Sequence, residues 1–179
     1  MDSVTRENAK KKPQIDPSVY IAPGAVVSGD VTLMEQSSVW TNAVLHGDVG
    51  SIYVGKRSSI QELVCVHVGF DLSTVIGDDV TIGHGAIIHG CTIENQVTVG
   101  MGAIIMDRAV IGTGSFVAAG ALVPERTVIP PNSLVIGVPA KVRRQTTDSE
   151  RQNTMQSVAH YVLEAREALI EQVDANQAQ

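Results

Sequence analysis

The chain has 179 residues and a net charge of -6; hydrophobic residues make up 44 % of it but aromatics only 3 %. That length suits one domain with a substantial core, and a core so poor in rings must be built from Val, Ile, Leu and Ala. The acidic balance, with no basic stripe and no interleaved aromatics, argues against nucleic acid as a partner, and no apolar run nears the ~20 residues that span a membrane.

Residues 1–12, "MDSVTRENAKKK", are polar and lack the apolar stretch of a secretory signal, so they read as a flexible lead-in. Asp2, Glu7 and a single Arg count against a mitochondrial presequence. The two cysteines, Cys65 and Cys91, make no disulfide framework. They read as small buried residues in a reducing compartment, the cytoplasm first and the mitochondrion second.

From 13 to 144 one period dominates. Aliphatic residues recur at every sixth position through Ile21, Val27, Leu33, Val39 and Leu45, then Val54, Ile60 and Val66, then Ile76, Ile82 and Ile88. The series continues through Ile93, Val99, Ile105, Ile111, Val117, Val123, Ile129 and Val135, making nineteen positions. A period of six is neither an amphipathic helix nor an alternating strand. It marks a parallel β-helix in which each hexad supplies a short strand and a corner. Three hexads close a triangular coil, so nineteen predict about six coils stacked at ~4.8 Å. An ordinary β-sandwich of short strands does not predict a fixed period. Between 148 and 175 the pattern changes: Met155, Val158, Val162, Ala165, Leu169 and Val173 fall at helical spacing, with Tyr161 beside them. The fold class is therefore all-β, a left-handed parallel β-helix of hexapeptide repeats with a C-terminal α-helix packed on it. Trp40 and Met101 read as packing residues.

Hexad register turns three histidines into geometry. With Leu33, Val39 and Leu45 as one coil, Leu45, Val66 and Ile88 fall on one face. His46, His67 and His89 follow them and point outward in a stack. Nitrogens sharing one tetrahedral zinc are about 3.4 Å apart, which rings on adjacent coils reach by a small lean. His84 belongs to the Ile82 hexad, across a corner. Three prisms around a three-fold axis would bring His84 of one copy to His67 and His89 of the next, leaving one coordination position open. Any one of these rings alone reads as a solvated or interface histidine; three at mutually consistent register positions point to a metal.

The segments "HGDV", "SIQELVCVH", "IGHGAIIHGC" and "VGMGAII" resemble the γ-class carbonic anhydrase family, and the likeness runs from "PQIDPSVYIAPGAVVSGDV" through the final helix. The resemblance implies zinc or ferrous iron on His67, His84 and His89, with His84 from the adjacent subunit of a homotrimer. It implies reversible hydration of CO2 to bicarbonate by a metal-bound hydroxide. Gln61 corresponds to a glutamine near the metal-bound water, Asp48 to an interface aspartate, and Tyr161 to a tyrosine of the terminal helix. Two positions depart from the family: His46 stands where an arginine is usual, and Ser59 where an asparagine is usual. Glu62 is the nearest proton acceptor, or equally a solvated carboxylate. His46 has three readings: an interface cation when protonated, a group supporting the ligands, or an exposed neutral ring. Two other functions remain open, a non-catalytic metal-binding or assembly subunit and a hexapeptide-repeat acyltransferase that uses one histidine as base.

Overall fold

Alternation of inward aliphatics with outward neighbours produces nineteen strands among the residues described by the computed structural model, Asn8 and 10–177, with side chains to 175. Most of the expected lead-in, residues 1–7 and 9, lies outside the described residues. In chain order the strands are β1 (Gln14–Ile15), β2 (Tyr20–Ile21), β3 (Val26–Leu33), β4 (Ser38–Val39), β5 (Val44–Val54), β6 (Ser59–Ile60) and β7 (Cys65–His67). Then come β8 (Ser73–Ile76), β9 (Thr81–Ile82), β10 (Ile87–His89), β11 (Thr92–Ile93), β12 (Thr98–Val99) and β13 (Ile104–Ile105). The last are β14 (Val110–Ile111), β15 (Phe116–Val117), β16 (Leu122–Val123), β17 (Val128–Ile129), β18 (Ser133–Gly137) and β19 (Ala140–Gln145).

Strand pairing is parallel throughout, except that β19 folds back antiparallel on β18. Three faces result. The first runs from the start of β5 through β7, β10, β13 and β16. The second runs from the end of β5 through β8, β11, β14 and β17, because β5 is long enough to turn a corner and pair with β7 at Val44 and with β8 at Ser51. The third holds β2, β4, β6, β9, β12, β15 and β18. The coils number about seven rather than six. Ile15 opposite Leu33 opens a further coil ahead of Ile21.

The predicted register holds: Val39, Ile60 and Ile82 lie opposite one another on the third face, and Leu45, Val66 and Ile88 on the first. These aliphatics are fully buried. A buried Val, Leu or Ile contributes about 1.5–3 kcal/mol, so the axial stack of like on like carries the fold.

Helix α1 (Asp148–Gln177) lies along the third face. Val158 and Ala165 are buried there, while Tyr20, Ala22 and Ala165 form a small cluster with Trp40, Ala168 and Leu169. Its start is a capping box: Glu150 N–H donates to Thr147 Oγ1 at 3.2 Å and Thr147 N–H to Glu150 Oε2 at 2.8 Å. Arg144, at the end of β19, donates two N–H groups to the same carboxylate at 2.8 Å each, anchoring the helix to the prism.

The Arg144 bonds, then the Thr147 N–H, hold the Glu150 carboxyl at about 2 against an ordinary 4.5. A carboxyl depressed on folding stabilises the fold fully above its ordinary value, and that contribution fades as pH falls toward the depressed one. We expect Glu150→Gln to lower Tm at pH 7, and the gap from wild type to narrow between pH 4.5 and 2. A gap independent of pH in thermal melts across that window would refute the anchor.

Candidate metal centre

β5, β7 and β10 bring the outward histidines of the first face into a column. The His46 and His67 rings are parallel to within 13° with centroids 5.7 Å apart, and those of His67 and His89 are 5.1 Å apart. His67 and His89 are direct ladder neighbours. His67 Nδ1 lies 3.1 Å from His89 Nε2, near the ~3.4 Å expected of two ligands on one ion. Thr74 Oγ1 braces their backbones, donating to the His67 carbonyl at 2.7 Å and accepting from Gly90 N–H at 2.9 Å.

Each of the three histidines has a carboxylate on one ring nitrogen. Asp48 Oδ1 is 3.0 Å from His67 Nε2, Glu62 Oε2 is 2.7 Å from His84 Nδ1, and Asp107 closes on His89 Nδ1. A neutral imidazole carries one N–H and one lone pair. With the N–H groups of His67 and His89 donated to Asp48 and Asp107, two lone pairs face each other across 3.1 Å. Two acceptors that close are unfavourable unless a cation or a proton lies between them. The donor set therefore fits a divalent metal, with carboxylates orienting the ligands. Burial tends to raise the Asp48 carboxyl, but its bond to His67 and the nearby His46 outweigh this and hold it below its ordinary value.

His84 does not join that pair within the chain. It stands on the turn between β9 and β10, beside Gly85, whose φ of +67° suits a residue without a Cβ. The same corner one coil earlier carries Glu62, and Gly85 N–H donates to the Glu62 carbonyl at 2.9 Å, so the two side chains stack. Gln61 is buried, and its Oε1 accepts the His84 backbone N–H at 3.2 Å. Tyr161 reaches this corner from α1 and stacks edge-on to Trp40 at 6.3 Å. Ser59 accepts the Trp40 indole N–H at 2.9 Å, so the serine at this position holds a ring of the helix interface. Gln61, His84, Met101, Phe116 and Tyr161 border a cavity of about 240 Å³ between prism and helix.

Two expectations are corrected. Cys65 is exposed, because it shares the outward phase of His67, whereas Cys91 is buried, and burial pushes its thiol up to about 12. Met101 is 58 % exposed on the corner below His84 rather than packed inside. Sequence reasoning missed Asp107 and Thr74. An acid one coil beyond His89 was a usable signal for the first, while Thr74 lies in the irregular segment after His67, where hexad counting stops.

A model of the bacterial transferase hexapeptide (six repeats) matches residues 90–125. The chain is 49 % identical over 148 residues to a probable carbonic anhydrase of Methanocaldococcus jannaschii, covering 83 % of this chain and 93 % of that protein. It is 45 % identical over 158 residues to the mitochondrial gamma carbonic anhydrase 2 of Arabidopsis thaliana, covering 85 % of this chain and 57 % of that longer protein. A solved Bacillus cereus structure described as a putative acetyltransferase superposes with a TM-score of 0.88 at 39 % identity, covering 89 % and 93 % of the two chains.

Asp107→Asn keeps the shape but weakens the acceptor on His89. Chelator competition should show metal affinity reduced roughly 10–100-fold, with stability within about 0.5 kcal/mol of wild type. Unchanged affinity would show that Asp107 does not orient the ring.

Proposed function

The chain belongs to the γ-class carbonic anhydrase family, and from that premise we propose that it hydrates CO2 reversibly at a metal held between copies of itself. The observation that carries this reading is the 3.1 Å approach of His67 Nδ1 to His89 Nε2, with Asp48 and Asp107 on the opposite ring nitrogens. Two imidazoles make half a tetrahedral site. His84, with Nδ1 tied to Glu62, has Nε2 as its remaining ligand atom at an exposed corner, and a neighbouring copy would supply it.

A seam at this face is supported by what surrounds the histidines. Val26, Val44, Cys65, Ile87, Ile104 and Leu122 lie in ladder register along the first face, all outward, with Val26 at 49 % and Ile87 at 42 % exposure. An apolar stripe that long favours burial against another surface, and a homotrimer closes three such faces. Among the described residues no helix is long and apolar enough to cross a membrane. The free thiols of Cys65 and Cys91 suit a reducing compartment such as the cytoplasm.

A divalent cation, Zn2+ or Fe2+, held there would supply the Lewis acidity that ionises water near neutral pH. The chain's own groups do the rest. Glu62 and Asp107 fix which nitrogen of His84 and His89 is free, and Asp48, by accepting the His67 Nε2 proton, frees Nδ1 for the seam. Gln61 has its carbonyl oxygen committed to His84, so its amide N–H groups remain to orient an oxygen of CO2 or bicarbonate. Glu62, which holds His84, is the carboxylate we assign to accept the released proton. Tyr161 borders the same cavity and offers a hydroxyl, its ring held by Trp40.

Mixed assembly tests the shared seam. Homotrimers of His67→Ala and of His84→Ala should each lack CO2 hydration, whereas co-expressed chains should regain part of it at seams pairing an intact His67 with an intact His84. No recovery in purified mixed trimers would overturn the shared site. Acetyl transfer from acetyl-coenzyme A, in place of hydration, would favour the acyltransferase reading.

A further inference from the structure

The outward column on the first face carries a second set of ligand atoms, all from one chain. His46, Asp48 and His67 each offer one such atom, and the three lie within 4.8 Å of one another. His46 Nε2 is 3.4 Å from Asp48 Oδ2, and His67 Nε2 is 3.0 Å from Asp48 Oδ1. Strand alternation explains the placement. Positions 46 and 48 share the outward side of β5, and β7 sets His67 on the next coil. Gly47 between them lies against β3 so closely that a Cβ would come within 2.7 Å of the Asp30 carbonyl oxygen, which fixes the spacing of its two neighbours.

The far nitrogens of both rings already have partners. His46 Nδ1 is 2.7 Å from Ser28 Oγ, and His67 Nδ1 is 3.1 Å from His89 Nε2. With a proton on each Nδ1, donated to Ser28 and to His89, both Nε2 lone pairs converge beside the Asp48 carboxylate. Two imidazoles and one carboxylate with the remaining positions open suit a six-coordinate ion such as Fe2+, Mn2+, Co2+ or Ni2+. An arginine at position 46 has no lone pair to give.

We propose that His46, Asp48 and His67 form a second divalent-cation site, complete within a single chain and alternative to the one at the seam. His67 is the common member. A proton on its Nε2, donated to Asp48, turns Nδ1 toward His89 and the seam. A proton on its Nδ1, accepted by His89, turns Nε2 toward His46 and Asp48. A neutral ring has one lone pair, so each His67 serves one ion at a time, and an unassembled chain holds its cation here. The site needs no partner; only its exclusivity rests on the seam reading.

Co2+ titrated into the full-length apoprotein, followed by calorimetry and visible absorption, tests this. His84→Ala removes the seam ligand while leaving His46, Asp48 and His67 intact, and far-UV circular dichroism checks that the prism persists. We expect His84→Ala to bind one Co2+ per chain with the weak absorption of a six-coordinate ion, and His84→Ala/His46→Ala to bind it roughly tenfold or more weaker. Equal affinity in the two variants, or no Co2+ bound by His84→Ala, overturns the one-chain site. The seam reading fails separately, if wild type and His84→Ala give the same six-coordinate spectrum and the same affinity.

Discussion

Everything in this molecule depends on the axial registry of its coils. Leu45 sits on Val66 and Val66 on Ile88, each fully buried. Slipping one strand by a residue would turn the aliphatic outward and the following histidine inward. Such a slip costs the burial of an aliphatic side chain, about 1.5–3 kcal/mol, and buries an imidazole without a partner as well. The core therefore sets where His46, His67 and His89 stand before any interaction among them contributes. Ring proximity follows from strand spacing alone, and little side-chain adjustment remains to be made.

The carboxylates obey the same geometry less directly. Asp48, Glu62 and Asp107 all reach a histidine one coil away, yet at sequence distances of 19, 22 and 18 residues. Coils differ in length because irregular residues are absorbed at corners. Val66 to Ile88 spans 22 residues with the excursion around Phe70, while Ile88 to Ile105 spans 17. Longer coils add loop without altering the ladder, so spacing in space stays constant while spacing in sequence does not. Thr74 uses the excursion to tie the ends of β7 and β10 together. The insertion after His67 thus returns to brace the two histidines it separates.

What could be read from the sequence divides along that line. Inward aliphatics repeat at six because the prism admits one side chain per face, so coil pairing and the His67–His89 juxtaposition were legible. The placement of His84 across a corner followed from the same count. Ile15 was missed because the first coil is edged by exposed residues, which weakens the pattern there. Cys65 was misplaced for a different reason. Strand β7 keeps two-residue alternation through Cys65, Val66 and His67, and a hexad count says nothing of the residue before the aliphatic. Asp107 lies past a corner, where backbone direction changes and outward side chains reach backwards. No period in the sequence records that reach; only the offset of one coil hints at it.

The two departures from the family pattern are local substitutions with separable consequences. Ser59 accepts the Trp40 indole N–H, Trp40 packs on Tyr161, and α1 holds Tyr161 beside Gln61 and His84. That chain of contacts ties α1 to the corner that bears His84. His46 acts on the other side, sharing Asp48 with His67 and stacking on its ring. Arginine there would offer a permanent charge and only donors; histidine offers a lone pair and a choice of tautomer. Here Asp48 is a carboxylate between two imidazoles, and the tautomer of His67 is the variable that decides which way its lone pair points.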